Sequence, residues 1–143
     1  MVKNGNDIFS KEKRSDIMSR IKSKNSRIER DVFSYLRKNK VSFQKHNRKI
    51  FGCPDITVLS KKSVVFVDSD FWHGWQYPRW QHKITNPFWR KKLESNRKRD
   101  KAVSRRLRKE GYRVLRIWTH QLTSGQKEKT LVRLLKFLKV EGF

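Results

Sequence analysis

Three acidic residues and one histidine stand close enough in this sequence to do chemistry together. Asp55 follows Gly52-Cys-Pro and opens a short apolar run, while Asp68 ends the next apolar run with Asp70 and His73 close behind. If the two runs are neighbouring strands, their ends bring these side chains together. Hard carboxylate oxygens gathered in one place are what Mg²⁺ requires, and a bound Mg²⁺ polarises a phosphate ester and acidifies an attacking water. An imidazole beside such a water is a natural general base. Spacing alone does not decide the matter. Pro54-Asp55 serves a plain turn equally well, and a lone His73 is as readily a surface or core-satisfied histidine.

The surroundings of these acids narrow the substrate class. The 143 residues include 37 Lys and Arg against 13 Asp and Glu, a formal net charge of +24. Such a surplus is self-repelling unless a polyanion relieves it. Aromatics at 12% argue for a folded domain rather than a disordered basic tail, because disordered chains are poor in them. No run approaches 18 apolar residues, so no membrane span is expected. The N-terminal residues carry no apolar signal core. The single cysteine, Cys53, permits no internal disulfide and no cysteine-rich metal site. A cytosolic nucleic-acid binder fits all of this. Composition does not separate an enzyme from a ribosomal or chromatin-type protein that binds without chemistry.

Basic residues concentrate at 11–24 and 90–109. Most of them suit phosphate contacts that carry no sequence information. Phe71, Trp72, Trp75, Trp80 and Trp89 cluster around one basic segment. Large aromatics there can stack on bases or wedge between base steps, although Phe71 and Trp89 would serve equally as core residues.

The elements that must position these groups follow from periodicity. Ile17, Met18 and Ile21 suit a helix from about Ser10 to Ser23. Ser26-Arg-Ile-Glu29 has a capping-box pattern, followed by Ile28, Val32, Phe33 and Leu36 at helical spacing and an end near Lys38-Asn39-Lys40. Residues 41–46 alternate like a half-buried strand, and residues 56–59 and 64–67 read as strands joined by a turn at Lys61-Lys62-Ser63. Residues 74–87 read as a long loop. A long helix begins at Asn86-Pro87, carries Trp89, Leu93, Val103 and Leu107 on one stripe, and ends at Gly111. A strand over 112–118 and a final helix from Ser124 or Gly125, with Leu131, Leu134, Leu135 and Leu138 inward, complete the chain. The expected architecture is a single α/β domain over 1–143, with a central mixed β-sheet flanked by helices and a basic N-terminal helical arm over 1–24.

Several motifs occur in order: Lys13-Arg-Ser-xx-Met18, Ile28-Glu29, Gly52-x-Pro-Asp55, Val65-Phe-Val-Asp68, Phe71-Trp-His73, Phe88-Trp89, Asn96-xx-Arg-Asp100 and Gly111-Tyr-Arg-Val-Leu-x-Ile-Trp118. Together they resemble the very short patch repair (Vsr) endonucleases over roughly residues 11–122. The resemblance implies a restriction-endonuclease-like core and a Mg²⁺-dependent activity that nicks one strand of double-stranded DNA 5′ to the T of a T:G mismatch. Carried onto this chain, it makes Asp55 a metal-bridging carboxylate, the Val67 carbonyl a metal ligand and His73 the general base. Glu29 and Asp100 would hold metal-bound waters or orient the histidine, and Asp68 falls at a further active-site position. Phe71, Trp72 and Trp89 would enter the DNA beside the mismatch and Met18 would wedge from the minor groove. Lys13, Arg14, Asn96 and Arg99 are further expected DNA contacts. A monomer in the bacterial cytoplasm, associated with the nucleoid and with a mismatch-repair protein as a candidate partner, is the corresponding expectation.

One departure stands out. The best-known family members carry a structural zinc near the Phe-Trp-His segment, held by Cys and His. Here Asp70 stands at a Cys position and His120 where another Cys would be, so no structural zinc is expected. His73, His82 and His120 would make at best a poor metal site. The expected substitute is packing by Trp75, Tyr77 and Trp80. Two alternatives to mismatch nicking remain: a related nuclease acting on paired, modified or damaged sites, and a catalytically inactive DNA-binding protein.

Overall fold

A computed structural model describes residues 27–70, 82 and 86–139. Residues 27–38 are helical (α1). Strands β1 (Gln44–Lys45), β2 (Ile56–Val58) and β3 (Ser63–Asp68) follow. Helix α2 (Pro87–Lys109), strand β4 (Arg113–Trp118) and helix α3 (Lys127–Lys139) complete the order. The sheet runs β1-β2-β3-β4, with the first two pairings antiparallel and β3–β4 parallel. This is the expected α/β architecture with a mixed sheet, consistent with a restriction-endonuclease-like core. The expected arm helix at 10–23 and the tryptophans at 72, 75 and 80 lie outside the described residues, as does most of the loop expected over 74–87, of which Asn86 and Pro87 cap and begin α2.

Side-chain alternation sorts the sheet into two faces. Ile56, Val58, Val65 and Ile117 pack under Ile28, Val32, Phe33 and Leu36 of α1 and under Leu131, Leu134 and Leu138 of α3. Val64 and Phe66 face the other way, against Val103 and Leu107 of α2. The apolar stripes that define the three helices are thus the ones buried, with Leu135 only partly so. At roughly 1.5–3 kcal/mol for each fully buried large aliphatic side chain, they are a major source of the stability that holds the strand ends in register.

Local chemistry ends α1 and bounds α2 where the sequence suggests. At the end of α1 the Val41 N–H donates to Leu36 O (3.0 Å), with Lys40 in the left-handed region (φ 59°). Asn86 caps α2 by accepting from the Phe88 N–H (2.9 Å), and Pro87 takes the first position, where no N–H is needed. Gly111 (φ 93°) closes α2, and the Tyr112 N–H donates to Leu107 O (2.9 Å).

Two expectations change. The strand expected over 41–46 shrinks to Gln44–Lys45, because its partner β2 leaves the sheet after Val58 into a 3-10 turn at Leu59–Lys61. Residues 41–43 then have no ladder, although Val41 and Phe43 still pack on the core. The last helix starts at Lys127 rather than at Ser124 or Gly125. A 3-10 turn over Thr119–Leu122 intervenes, and the Ser124 hydroxyl accepts from the Gln126 N–H (3.2 Å).

Candidate active site

The β1–β2 connection builds the site. Pairing of Gln44 with Thr57 and Lys45 with Ile56 places residue 46 opposite residue 55, and the His46 N–H donates to Asp55 O (3.1 Å). The connection doubles back through three left-handed residues, His46 (φ 47°), Gly52 (φ 82°) and Cys53 (φ 50°). At Gly52 the chain passes so close to Val103 of α2 that a Cβ would be driven into its Cγ1. Glycine is therefore required on both steric and conformational grounds. This turn delivers Asp55 to the start of β2 beside β3, where its Oδ2 accepts from the Val67 N–H (2.7 Å). That bond fixes the carboxylate and brings residue 67 against it.

Glu29, on the first turns of α1, completes the group. His46 lies between the two carboxylates, Nε2 at 3.4 Å from Glu29 Oε2 and Nδ1 at 3.5 Å from Asp55 Oδ1. One ligand atom from each of the three lies within 4.8 Å of the others, so the group could hold a metal ion. The electrostatics agree with that capacity. Burial pushes the Asp55 carboxyl up to about 7, with the Glu29 charge adding to the effect and the Val67 N–H opposing it. Burial also raises Glu29 above the usual carboxylate range. Among the described residues neither carboxylate has a Lys or Arg partner in hydrogen-bonding range; His46 is the basic group they face.

Asp68 and Asp100 belong to a different cluster. Along β3, residues 64, 66 and 68 share the face toward α2, whereas residue 67 points to the other. Asp68 is therefore turned away from Asp55 and meets Arg116 of β4. Arg116 Nη1 donates to both Asp68 oxygens (2.9 and 3.1 Å), its Nε to Ser104 Oγ (2.7 Å) and its Nη2 to Asp100 O (3.0 Å). The Asp100 carboxylate lies 4.0 Å from the same guanidinium, which also stacks 4.2 Å above the Phe66 ring. The acids expected to share one centre are thus divided between a metal-capable group and a guanidinium clamp.

The other expected residues are distributed as follows. Trp89, expected at the DNA, is only 5% exposed, because positions 89, 93, 103 and 107 form the buried stripe of α2. Its neighbour Phe88 is 55% exposed and presents the accessible ring. Asn96 and Arg99 lie one turn apart on α2, and the Arg99 guanidinium donates to Asn96 Oδ1 (3.3 Å). Lys13, Arg14, Met18, Phe71, Trp72 and His73 lie outside the described residues. His46 is the residue that sequence reasoning missed. The available signal was the strand alternation at 41–46 followed by a turn, but the register that sets 46 opposite 55 is not visible in one sequence.

At the zinc-site positions the structure has a direct clasp. Asp70 Oδ1 lies 2.9 Å from His120 Nδ1 and accepts from the His120 N–H (3.3 Å), while the Asp70 N–H donates to Thr119 Oγ1 (3.2 Å). These bonds tie the residue just beyond β3 to the turn just beyond β4. Packing by Trp75, Tyr77 and Trp80 was the expected means, and it falls outside the described residues.

A mixed sheet between helices, with a carboxylate–imidazole group where the strand ends meet, is the layout of a DNA-cleaving hydrolase with a restriction-endonuclease-like core. Comparison with known proteins makes the assignment specific. Residues 6–79 match the family model described as DNA mismatch endonuclease Vsr. A type II nicking enzyme of Xanthomonas oryzae, V.XorIIP, is 36% identical over 135 residues, covering 90% of this chain and 96% of its own. The type II nicking enzyme V.NmeDIP of Neisseria meningitidis is 35% identical over 121 residues, 83% of this chain and 82% of its own. The DNA mismatch endonuclease Vsr of Escherichia coli is 29% identical over 140 residues, 95% and 90% of the two chains. The chain belongs to the Vsr endonuclease family. Among the described residues no helix is long and apolar enough to cross a membrane.

Proposed function

We propose that this protein nicks one strand of duplex DNA 5′ to the T of a T:G mismatch, with Mg²⁺ as cofactor, and so starts very short patch repair. The observation that carries the reading is the meeting of Glu29, His46 and Asp55 in a chain of this family. Two carboxylates of raised pKa with no Lys or Arg partner among the described residues are suited to receive a divalent ion. When bound, such an ion supplies charge neutralisation at the scissile phosphate and a more acidic water.

The chain's own residues do the rest. Asp55 offers Oδ1, since Oδ2 is engaged by the Val67 N–H. Glu29 offers its carboxylate from α1, and the Val67 carbonyl is a further candidate ligand. His73 accepts a proton from the attacking water at its imidazole. Asp68 and Asp100 act through Arg116, holding the exit of β3 in place before the segment that carries His73. Met18, Phe71 and Trp72 wedge into the duplex beside the mismatch, with exposed Phe88 as the ring that α2 contributes. A wobble pair stacks poorly, so this deformation costs less there than at a paired site. Lys13, Arg14, Asn96 and Arg99 bind the backbone, and residues 1–24 act as a basic arm of one domain spanning 1–143. The protein works as a monomer, and a mismatch-repair protein is a candidate partner.

The test is cleavage of end-labelled duplexes carrying T:G, other mismatches or full pairing, in Mg²⁺ and in EDTA. The expected result is a single-strand nick at T:G only, abolished by EDTA and by Asp55→Ala while duplex binding survives. Equal cutting of every duplex would remove the mismatch specificity. Absence of cutting of any duplex in Mg²⁺ would remove the enzymatic reading.

A further inference from the structure

His46 is given no chemical role in the steps above, although its ring stands between Glu29 and Asp55, which also meet each other directly. Its position is set by the backbone: the left-handed φ of 47° and the bond from its N–H to Asp55 O turn the ring toward Asp55. On one side the ring packs edge-on against Phe33, with centroids 6.1 Å apart. With 47% of the side chain exposed, the ring is also within reach of an ion arriving from solvent.

The geometry discriminates between two roles. A charge-assisted hydrogen bond between imidazolium and carboxylate draws its atoms to about 2.7–2.9 Å. Both ring nitrogens stand off farther, at 3.4 and 3.5 Å. Neighbouring donors around one small cation, each bonded at about 2.1 Å, stand about 3.0–3.4 Å apart; whichever ring nitrogen takes the ion keeps close to that spacing from the carboxylate it faces, and one ligand atom from each of the three residues lies within 4.8 Å of the others. Asp55 Oδ1, the oxygen nearest Nδ1, is also the one that the Val67 N–H leaves available. An arrangement of one imidazole nitrogen and two carboxylate oxygens, each held from a different segment, is a mixed donor set. Carboxylate oxygens suit Mg²⁺ and Mn²⁺ alike, whereas an imidazole nitrogen favours the transition ion.

We propose that His46 is a direct ligand of the cation held by Glu29 and Asp55, and that it gives the site a higher affinity for Mn²⁺ than for Mg²⁺. The proposal rests on the cation-dependent reading of the preceding subsection and adds the identity of a third protein ligand. On ion binding, the ring nitrogen that does not take the ion closes onto the carboxylate it faces, which fixes the tautomer and the ring plane.

The test is Mn²⁺ binding to the metal-free full-length protein without DNA, followed by electron paramagnetic resonance. Wild type is expected to bind one Mn²⁺ and to show ¹⁴N modulation from an imidazole in the pulsed experiment. That modulation should change to the ¹⁵N pattern on labelling histidine. His46→Gln should lose the modulation and bind Mn²⁺ at least about tenfold more weakly. Its Mg²⁺ affinity, read by competition, should fall less. Should His46→Gln fail to fold by circular dichroism, His46→Asn takes its place. Mn²⁺ bound without nitrogen modulation, or modulation that persists in the variant, would overturn the proposal. Nicking of supercoiled plasmid by wild type in Mg²⁺ separates the two levels. Nicking without nitrogen coupling removes the ligand role and leaves the nuclease reading standing. Neither ion binding nor nicking removes both.

Discussion

Replacing Asp55 by Asn should stabilise the metal-free protein at alkaline pH while abolishing its activity. The Asp55 carboxyl is pushed up to about 7 from an ordinary value of 3.8, chiefly by burial and then by Glu29. A raised carboxyl pKa means that the fold prefers the protonated acid. Its stabilising contribution is complete below about pH 4 and is lost as pH climbs through about 7. The shift of about three pH units corresponds to about 4 kcal/mol as an upper bound. The side chain is 19% exposed, and partial hydration brings the figure to about 2–4 kcal/mol. Asparagine imitates the neutral acid and can still accept from the Val67 N–H. Wild type and Asp55→Asn should therefore melt alike near pH 3 in EDTA and diverge progressively between about pH 4 and 7. At pH 8 the variant should melt higher by roughly 6–12 °C, at about 3 °C per kcal/mol for a chain of this size. Millimolar Mg²⁺ or Mn²⁺ should raise the melting temperature of wild type at pH 8 and leave the variant unmoved. Parallel curves for the two proteins from pH 4 to 8, or a variant less stable at pH 8, would refute the reasoning.

Three further outcomes follow from other contacts. Arg116→Leu removes the guanidinium from Asp68, which is 4% exposed, and should cost about 3–5 kcal/mol by urea denaturation; a loss under 1 kcal/mol would mean that Asp68 is not charged in the fold. Gly52→Ala should cost about 2 kcal/mol and cut nicking, because the turn that delivers Asp55 must move away from Val103. Val103→Ala in the same chain should restore part of the activity, and no restoration would discredit the steric account. Asp70→Ala should lower nicking while leaving the urea midpoint within about 1 kcal/mol of wild type, since the clasp to His120 is part-exposed. An Asp70→Ala variant with unaltered nicking would separate the clasp from function.

The end of α1 and both ends of α2 were legible because each carries local signals that packing did not need to override, whereas the start of α3 was displaced to Lys127 by the 3-10 turn before it. Asn86-Pro87 and Gly111 bound α2 through caps that depend on neighbours in sequence. The apolar stripes of α1, α2 and α3 named the core because a 3.6-residue period admits one buried face. β1 was less legible, since its length depends on where β2 leaves the sheet. Asp55 was marked by the turn residues in front of it. His46 was not, because its chemistry arises from antiparallel register, which is a property of two segments at once. Strand alternation already separates Asp68 from residue 67: the two side chains face opposite sides of β3, and Asp68 takes the side of α2, where Arg116 meets it. For Trp89 the stripe with Leu93, Val103 and Leu107 made the core reading available beside the DNA-facing one, and the adjacent Phe88 is the exposed ring.

The distribution of partners among the acids explains how so basic a chain keeps a site open. With 37 Lys and Arg, most carboxylates have a cation within reach, and Asp31, Asp68 and Glu110 have taken one, Lys127, Arg116 and Arg106 respectively. Among the described residues Glu29 and Asp55 have taken none: they face each other and His46 at the β1–β2 turn, where the His46 ring packs edge-on against Phe33. Burial raises both carboxyl pKa values, so the site is unfavourable to the chain when both acids are ionised and empty. That cost is the source of its affinity, because a small dication relieves the repulsion that folding imposes. Inserting a lysine in place of His46 should therefore stabilise the protein at pH 8 and eliminate divalent-ion binding together. If His46→Lys still bound Mn²⁺ as tightly as wild type, repulsion between Glu29 and Asp55 could not be what drives ion uptake.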